Sequence, residues 1–154
     1  MKKVNVVFGT VYGSAQFTAE TVTKAIATLG FTTKIWQPNE LSGFVPPQDE
    51  LLIIVSSTTG EGEVPEDIFP WFNELKSSAP YLPLLQYSLI GLGDSSYDTF
   101  CGAIKQFDQL LTELGATPLT ERLEIDACET MEPETEAKKW IASWHNAVTS
   151  ENVV

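Results

Sequence analysis

The feature that most constrains the fold is the alternation of short apolar runs with segments of helical periodicity. Residues 51–55 read Leu-Leu-Ile-Ile-Val, and residues 88–92 read Ser-Leu-Ile-Gly-Leu. Continuous apolar runs of this length are typical of strands that are covered on both faces. A loop and then apolar residues at helical spacing follow each of them. This alternation predicts an α/β fold, in which helices pack on both faces of a parallel sheet.

The same pattern along the rest of the chain predicts one domain over residues 1–150, followed by a short tail at 151–154. We expect strands at 4–8, 32–36, 51–55, 88–92 and within 117–125, and helices at 14–29, 66–76, 100–114 and 133–148. Pro70 fits a kink or the first turn of its helix, because proline in a helix interior removes a backbone hydrogen bond.

Charge limits the partners that this chain can have. The 154 residues include 9 Lys and Arg against 21 Asp and Glu, which gives a formal net charge of −12. Such a surface repels nucleic acid and anionic lipid, so we expect no nucleic acid, no membrane and instead a basic protein partner. Two cysteines, Cys101 and Cys128, do not make a disulfide framework, which favours a reducing cytoplasm.

Ligands of open parallel sheets bind beyond the carboxyl ends of the strands, and the loop after the first strand has the chemistry of a phosphate site. Residues 9–15 read Gly-Thr-Val-Tyr-Gly-Ser-Ala and lead into a helix whose N-terminal N–H groups attract anions. The loop has no lysine and neither of the common nucleotide-binding glycine patterns, which suits a monophosphate ester held by neutral donors. An ordinary turn, with Ser14 as the helix cap, is the alternative.

Two further loops follow the third and fourth strands. Residues 56–63 read Ser-Ser-Thr-Thr-Gly-Glu-Gly-Glu, where the glycines permit close approach of the backbone to a ligand. Residues 91–101 contain two glycines, Asp94 and then Tyr97, on which a planar ligand could stack. A flexible loop and a tyrosine packed over the strand end are the respective alternatives.

Ser-Thr-Thr-Gly-Glu-Gly-Glu at 57–63 and Gly-Leu-Gly-Asp-Ser-Ser-Tyr at 91–97 together carry a family resemblance. The chain resembles the short-chain flavodoxins over about residues 3–148, and it is similar to the FMN domain of diflavin reductases. This resemblance implies a flavodoxin-like doubly wound sheet of five parallel strands in the order 2-1-3-4-5. It also implies FMN as the cofactor, with no catalytic residue, no metal and no substrate turnover.

The resemblance implies which residues bind FMN. The phosphate loop corresponds to Thr10, Val11, Tyr12, Gly13, Ser14 and Ala15, the middle loop to Thr58, Thr59, Gly60 and Glu61, and the last loop to Leu92, Gly93, Asp94, Tyr97, Phe100 and Cys101. Gly60 matches the glycine whose peptide turns over when the flavin takes its first electron, and Tyr97 matches the outer stacking aromatic. Thr59 stands where relatives often have an inner stacking aromatic.

The function implied by the resemblance is that of a low-potential one-electron carrier. Such a carrier takes electrons from a basic NAD(P)H-dependent flavodoxin or ferredoxin reductase and passes them to an acceptor enzyme through flavin semiquinone and hydroquinone. Asp94 and the acidic residues after Gly60 would oppose the anionic hydroquinone and steer the basic partner. We expect a monomer. The alternatives are an acidic surface that only confers solubility, and a binding module that serves one dedicated enzyme with weak or no flavin.

Other residues have structural interpretations. Cys101 is expected to be a small buried hydrophobe, and Trp71, Trp140 and Trp144 are expected to lie on core or half-buried helix faces. Asp126 follows the last strand, where relatives sometimes have a further flavin contact. A receiver-type signalling domain is excluded, because the first and third strands are followed by Gly-Thr and Ser-Ser instead of acidic residues.

Overall fold

The computed structural model describes residues 3–11, 13–58, 62–96 and 100–151. Its elements, in chain order, are β1 (Val4–Gly9), α1 (Ser14–Thr28), β2 (Thr33–Trp36), a 3-10 turn (Pro38–Glu40), β3 (Leu51–Ser56), α2 (Phe69–Ser78), β4 (Gln86–Gly93), α3 (Gly102–Glu113), β5 (Thr117–Pro118), β6 (Leu123–Asp126) and α4 (Pro133–Glu151). The predicted alternation of strands and helices is therefore confirmed.

All strand pairs of the sheet are parallel, and the strand order β2-β1-β3-β4-β5 is the predicted one. The last strand differs from the prediction, because it consists of two short segments. β5 pairs with the start of β4, and β6 pairs with its end, from Ile90 to Gly93. The Leu119 N–H still donates to the Tyr87 carbonyl of β4, and beyond it the Arg122 side chain bonds Asp108 on α3.

The apolar run of β3 is explained by the two layers of helices. Leu51, Ile53 and Val55 pack with α1 and α4, whereas Leu52 and Ile54 pack with α2 and α3. Successive strand residues point to opposite faces, so both sets must be apolar when both faces are covered. Each buried side chain of this size contributes roughly 1.5–3 kcal/mol of transfer free energy.

The helix boundaries follow the prediction with two shifts. α2 begins at Phe69, later than expected, and Pro70 lies in its first turn. Proline is tolerated there because an N–H at that position has no partner within the helix. α4 continues to Glu151. Trp144 is buried, Trp71 is buried, and Trp140 packs partly buried against the α1 and α4 layer. Over the part of the chain described, no helix is both long and apolar enough to cross a membrane.

Candidate functional site

Four strands end at one edge of the sheet and bring the predicted loops together. Gly9 of β1 pairs with Ser56 of β3, and Gly93 of β4 pairs with Asp126 of β6, while β3 and β4 are neighbours. The loops after β1, β3 and β4 therefore leave the sheet side by side. The Ser57 N–H donates to the carbonyl oxygen of Gly9 at 3.0 Å, which joins the first two loops.

The first loop leads into a helix that has no side-chain cap among the described residues. Gly13 is the N-cap residue, with φ 93° in the left-handed region that favours glycine. Its N–H donates to the Oγ1 atom of Thr10 at 2.8 Å. Ser14 is the first helical residue, so the alternative in which it caps the helix is wrong. With no acidic residue in the first turn either, the N–H groups at the start of α1 remain available to an anion.

The Thr10 N–H, by contrast, already has an anionic partner. It donates to both carboxylate oxygens of Asp67, at 3.2 and 3.0 Å. Asp67 lies two residues before α2 and is exposed, but its carboxylate turns inward to the loop. That partial burial raises the pKa of Asp67, while backbone hydrogen bonds from Thr10 and Ile68 act in the opposite direction. At this end the loop therefore donates a backbone hydrogen bond to a carboxylate oxygen.

The middle loop contributes a hydroxyl with no partner. Thr58 Oγ1 is buried and makes no hydrogen bond with the described residues. A buried hydroxyl is normally hydrogen-bonded, so a ligand atom is a natural partner here. The predicted residues Thr59, Gly60 and Glu61 lie outside the described residues.

The return of the middle loop rests on the start of α3. A Cβ atom on Gly102 would lie 2.7 Å from the carbonyl oxygen of Gly62, closer than real Cβ contacts allow. The Gln106 side-chain amide donates to the same carbonyl at 2.7 Å. Sequence reasoning did not select Gln106, because a lone glutamine within a helical pattern gives no sign of a loop contact.

The end of β4 packs closely against the residues that precede α3. A Cβ atom on Gly93 would lie 2.8 Å from the backbone N of Cys101 and 3.2 Å from the Phe100 ring. Cys101 is fully buried, as expected, and burial raises the pKa of its thiol to about 12. Leu92 is also buried. Tyr97 in this loop and Tyr12 in the first loop lie outside the described residues.

The turn after β6 braces the last loop. One carboxylate oxygen of Asp126 accepts hydrogen bonds from the N–H groups of Ser95 at 3.0 Å and Cys128 at 2.9 Å. The Cys128 thiol donates to Asp94 at 3.0 Å, and Ser96 also donates to Asp94. These bonds lower the pKa of Asp94 and of Asp126, because each stabilises the ionised form.

Asp94, Asp126 and Cys128 are the one group of potential metal ligands among the described residues, with their ligand atoms within 4.8 Å of one another. Both carboxylates already accept hydrogen bonds from the loop backbone. The cluster therefore serves as a connection between the loops after β4 and β6. Cys128 was not selected from the sequence, since nothing in its spacing indicates this contact.

A cavity of about 690 Å³ lies elsewhere, beside α3 where the last strand is interrupted. Arg122 bridges Asp108 and Glu124, at 2.6 Å to each, and the Tyr87 hydroxyl donates to Asp108 at 2.6 Å. These polar groups satisfy one another, and the cavity is separate from the loops at the carboxyl edge.

A parallel sheet with an anion cradle and glycine-bounded loops beyond its strand ends defines the class of α/β proteins that bind a phosphate-bearing cofactor at that edge. Within this class, the family model for flavodoxin matches residues 6–140. The chain belongs to the flavodoxin family.

Individual relatives agree with this assignment. Flavodoxin YqcA of Escherichia coli K12 is 41% identical over 144 residues, which cover 94% of this chain and 97% of the relative. The solved structure of a mutant of flavodoxin from Pseudomonas aeruginosa superposes with a TM-score of 0.85 at 36% identity, and it covers 96% of this chain and 99% of that one. The sulfite reductase flavoprotein alpha-component of Vibrio vulnificus is 39% identical over 125 residues, which are 80% of this chain but 20% of that protein.

Family membership confirms FMN as the cofactor, and the described residues fit it. The uncapped first turn of α1 and the Thr10 hydroxyl suit a phosphate ester, with no cation required. The unpartnered hydroxyl of Thr58 lies in the loop after β3, next to that cradle. Gly93 lets Phe100 and Cys101 pack against the end of β4, beside these donors, where a side chain would prevent it.

Proposed function

We propose that this protein is a low-potential one-electron carrier, which takes electrons from a basic NAD(P)H-dependent reductase and passes them to an acceptor enzyme. The observation that supports this most is the convergence of three loops with neutral donors at the carboxyl edge of the sheet. FMN, when bound there, supplies the redox chemistry, and the protein contributes orientation and electrostatics.

The first loop holds the phosphate in this proposal. Thr10, Gly13 and the first residues of α1 offer hydroxyl and N–H donors, and Val11, Tyr12, Ser14 and Ala15 complete the loop. Thr58, Thr59, Gly60 and Glu61 of the middle loop and Tyr97 of the last loop would hold the two faces of the flavin ring. Leu92, Gly93 and Asp94 hold the pyrimidine edge, and Phe100 and Cys101 support them from beneath.

Charge sets the potential of such a site. The lowered pKa of Asp94 keeps its carboxylate ionised at neutral pH. Beside the pyrimidine edge of FMN, this carboxylate would disfavour added negative charge on the cofactor and so would lower its second reduction potential. Each tenfold preference for one redox state shifts a one-electron couple by about 59 mV. The Gly60 backbone would hold the N5 edge of the flavin, because a glycine at this position permits either orientation of its peptide.

The partners follow from the same charge. Glu63, Glu66 and Asp67 are exposed on the connection between β3 and α2, and Asp67 contacts the first loop. A basic reductase would be attracted to this surface and form a short-lived complex. We propose a cytoplasmic monomer, because transient electron carriers exchange partners through one open face.

A second candidate is a binding module that serves one dedicated enzyme and holds flavin weakly. The observation in its favour is Thr59, which gives the middle loop no stacking aromatic. The two functions differ in their reactions with a general NAD(P)H-dependent flavodoxin or ferredoxin reductase. Rapid reduction of the FMN-loaded protein by that enzyme supports the carrier, and no reduction supports the module.

Potentiometric titration of the FMN-loaded protein tests the one-electron proposal. Two separate steps are expected, with a long-wavelength absorption band between them and a low second potential. A single two-electron step without that band would contradict the proposal. Reductase turnover should also fall as ionic strength rises, because salt screens the attraction between exposed charges. Turnover that does not change with salt would show that the acidic surface only confers solubility.

A further inference from the structure

Asp67 binds the phosphate loop in a way that the proposed function does not use. Its two carboxylate oxygens lie 3.2 and 3.0 Å from the Thr10 nitrogen, across 57 positions of the sequence. Thr10 is the first residue after β1, and its hydroxyl also accepts the N–H of Gly13. A carboxylate therefore lies against one end of the loop that is assigned to the FMN phosphate.

A carboxylate and a phosphate monoester compete for the same donors. Both accept hydrogen bonds from backbone N–H groups, and a phosphate ester carries a charge of about −1.5 to −2 at neutral pH. A like charge at the same site disfavours the ionised form of a group, often by a factor of ten or more in its ionisation equilibrium. Among the described residues, no Lys or Arg forms an ion pair with Asp67 that would compensate its charge.

We propose that Asp67 is a residue that limits affinity for the cofactor's phosphate, because its carboxylate holds the Thr10 amide and repels the incoming anion. This inference rests on the assignment of residues 10–15 to the phosphate. The Asp67 carboxylate occupies the Thr10 N–H before FMN arrives. FMN binding then requires the phosphate to share or replace that acceptor. Affinity for FMN is lower than a neutral residue at position 67 would allow, while affinity for riboflavin, which has no phosphate, is independent of Asp67.

The ratio of FMN affinity to riboflavin affinity isolates this effect, because both ligands have the same ring. We would measure it by quenching of flavin fluorescence for the wild type, Asp67→Asn and Glu66→Gln. Asp67→Asn removes the charge and keeps an oxygen that can accept the Thr10 N–H. Glu66→Gln makes the same charge change at the adjacent exposed position, and Glu66 has no contact with the first loop among the described residues.

We expect Asp67→Asn to raise the ratio of FMN affinity to riboflavin affinity about tenfold, because the substitution removes one contact between like charges. Glu66→Gln should change the ratio much less. Asp67→Ala is a second variant that removes both charge and acceptor, and it should also raise the ratio. Inorganic phosphate alone should raise the thermal unfolding temperature of Asp67→Asn more than that of the wild type, because it binds the folded cradle more tightly.

The outcomes distinguish the role of Asp67 from the assignment of residues 10–15 to the phosphate. An unchanged or lower ratio in Asp67→Asn, with a wild type that prefers FMN to riboflavin, would overturn the role of Asp67 and leave the phosphate loop intact. A lower ratio in Asp67→Ala would assign Asp67 to loop positioning and also overturn the inference. Equal binding of FMN and riboflavin both by the wild type and by Asp67→Asn would overturn the phosphate-loop assignment itself.

Discussion

The carboxylate of Asp126 accepts a hydrogen bond from the backbone N–H of Ser95 at 3.0 Å and so connects the ends of β6 and β4. The same oxygen accepts the N–H of Cys128. The loop that is assigned to the flavin's pyrimidine edge is thus held by a residue from the last strand. Its geometry depends on the sheet pairing of Gly93 with Asp126 and on two hydrogen bonds to one oxygen.

Asp126→Ala should weaken FMN binding several-fold while the protein remains folded. The substitution leaves the N–H groups of Ser95 and Cys128 without their acceptor, so the loop loses its fixed position. Asp126→Asn retains an oxygen acceptor and should lose less affinity. Fluorescence titration with FMN measures the affinities, and circular dichroism checks the fold. Equal FMN affinity in Asp126→Ala and the wild type would show that the hydrogen bonds of Asp126 to Ser95 and Cys128 have no influence on the site.

Gly93→Ala should destabilise the protein by about 1–3 kcal/mol, the usual cost of an extra methyl group in a close-packed site. The new Cβ would meet the backbone N of Cys101 at 2.8 Å, and backbone atoms cannot move aside as a flexible side chain can. Urea denaturation gives the free energy of unfolding. Gly13→Ala is a useful comparison, because apart from its chain neighbours no atom of the described residues lies within 4 Å of its Cβ position, and its φ of 93° is the expected source of its cost. Unfolding free energies that match the wild type in Gly93→Ala would refute the close contact.

The two thiols should react at very different rates. Cys128 is exposed, whereas Cys101 is fully buried and has a thiol pKa raised to about 12. Because the thiolate is the reactive form, a thiol reagent at pH 8 should label one cysteine per folded chain and two per unfolded chain. Cys128→Ser should abolish the fast reaction. Rapid labelling of Cys101 in the folded Cys128→Ser variant would contradict the burial of Cys101.

Stability should fall at alkaline pH. Burial raises the pKa of Cys101 from 9.0 to about 12, and burial and the Asp108 hydrogen bond also raise the pKa of Tyr87. An acid whose pKa is higher in the folded state contributes its full stability below its unfolded pKa and loses it as the pH rises. For Cys101 this loss extends from about pH 9 to pH 12. Urea midpoints from pH 8 to pH 11 should decline, and less steeply in Cys101→Ala. Parallel curves for the two proteins would contradict the assignment to Cys101.

The sequence predicted the sheet because β3 and β4 are apolar on both faces, a pattern that local periodicity makes visible. It predicted the first loop because glycine, hydroxyls and a helix start occur together in seven residues, 9–15. It did not predict the interruption of the last strand, since the bond from Arg122 to Asp108 joins positions that are distant in the chain.

The long-range contacts of the site were also invisible to sequence patterns. Asp67 was recognised only as one acidic residue among several, although its carboxylate binds Thr10. The contacts of Gln106 and Cys128 depend on how α3 and β6 dock on neighbouring loops. Such contacts form through tertiary packing, and local patterns in a single sequence do not predict them.

The measurement that tests the central claim most directly is a titration of the cofactor-free protein with FMN, followed by flavin fluorescence and visible absorption. The account predicts one FMN per chain, quenched fluorescence, a shifted absorption spectrum, and weaker binding of riboflavin. Flavin fluorescence that stays equal to that of free FMN at all protein concentrations, with an unshifted absorption spectrum, would contradict the account. The flavodoxin fold would then stand as a binding module without its flavin.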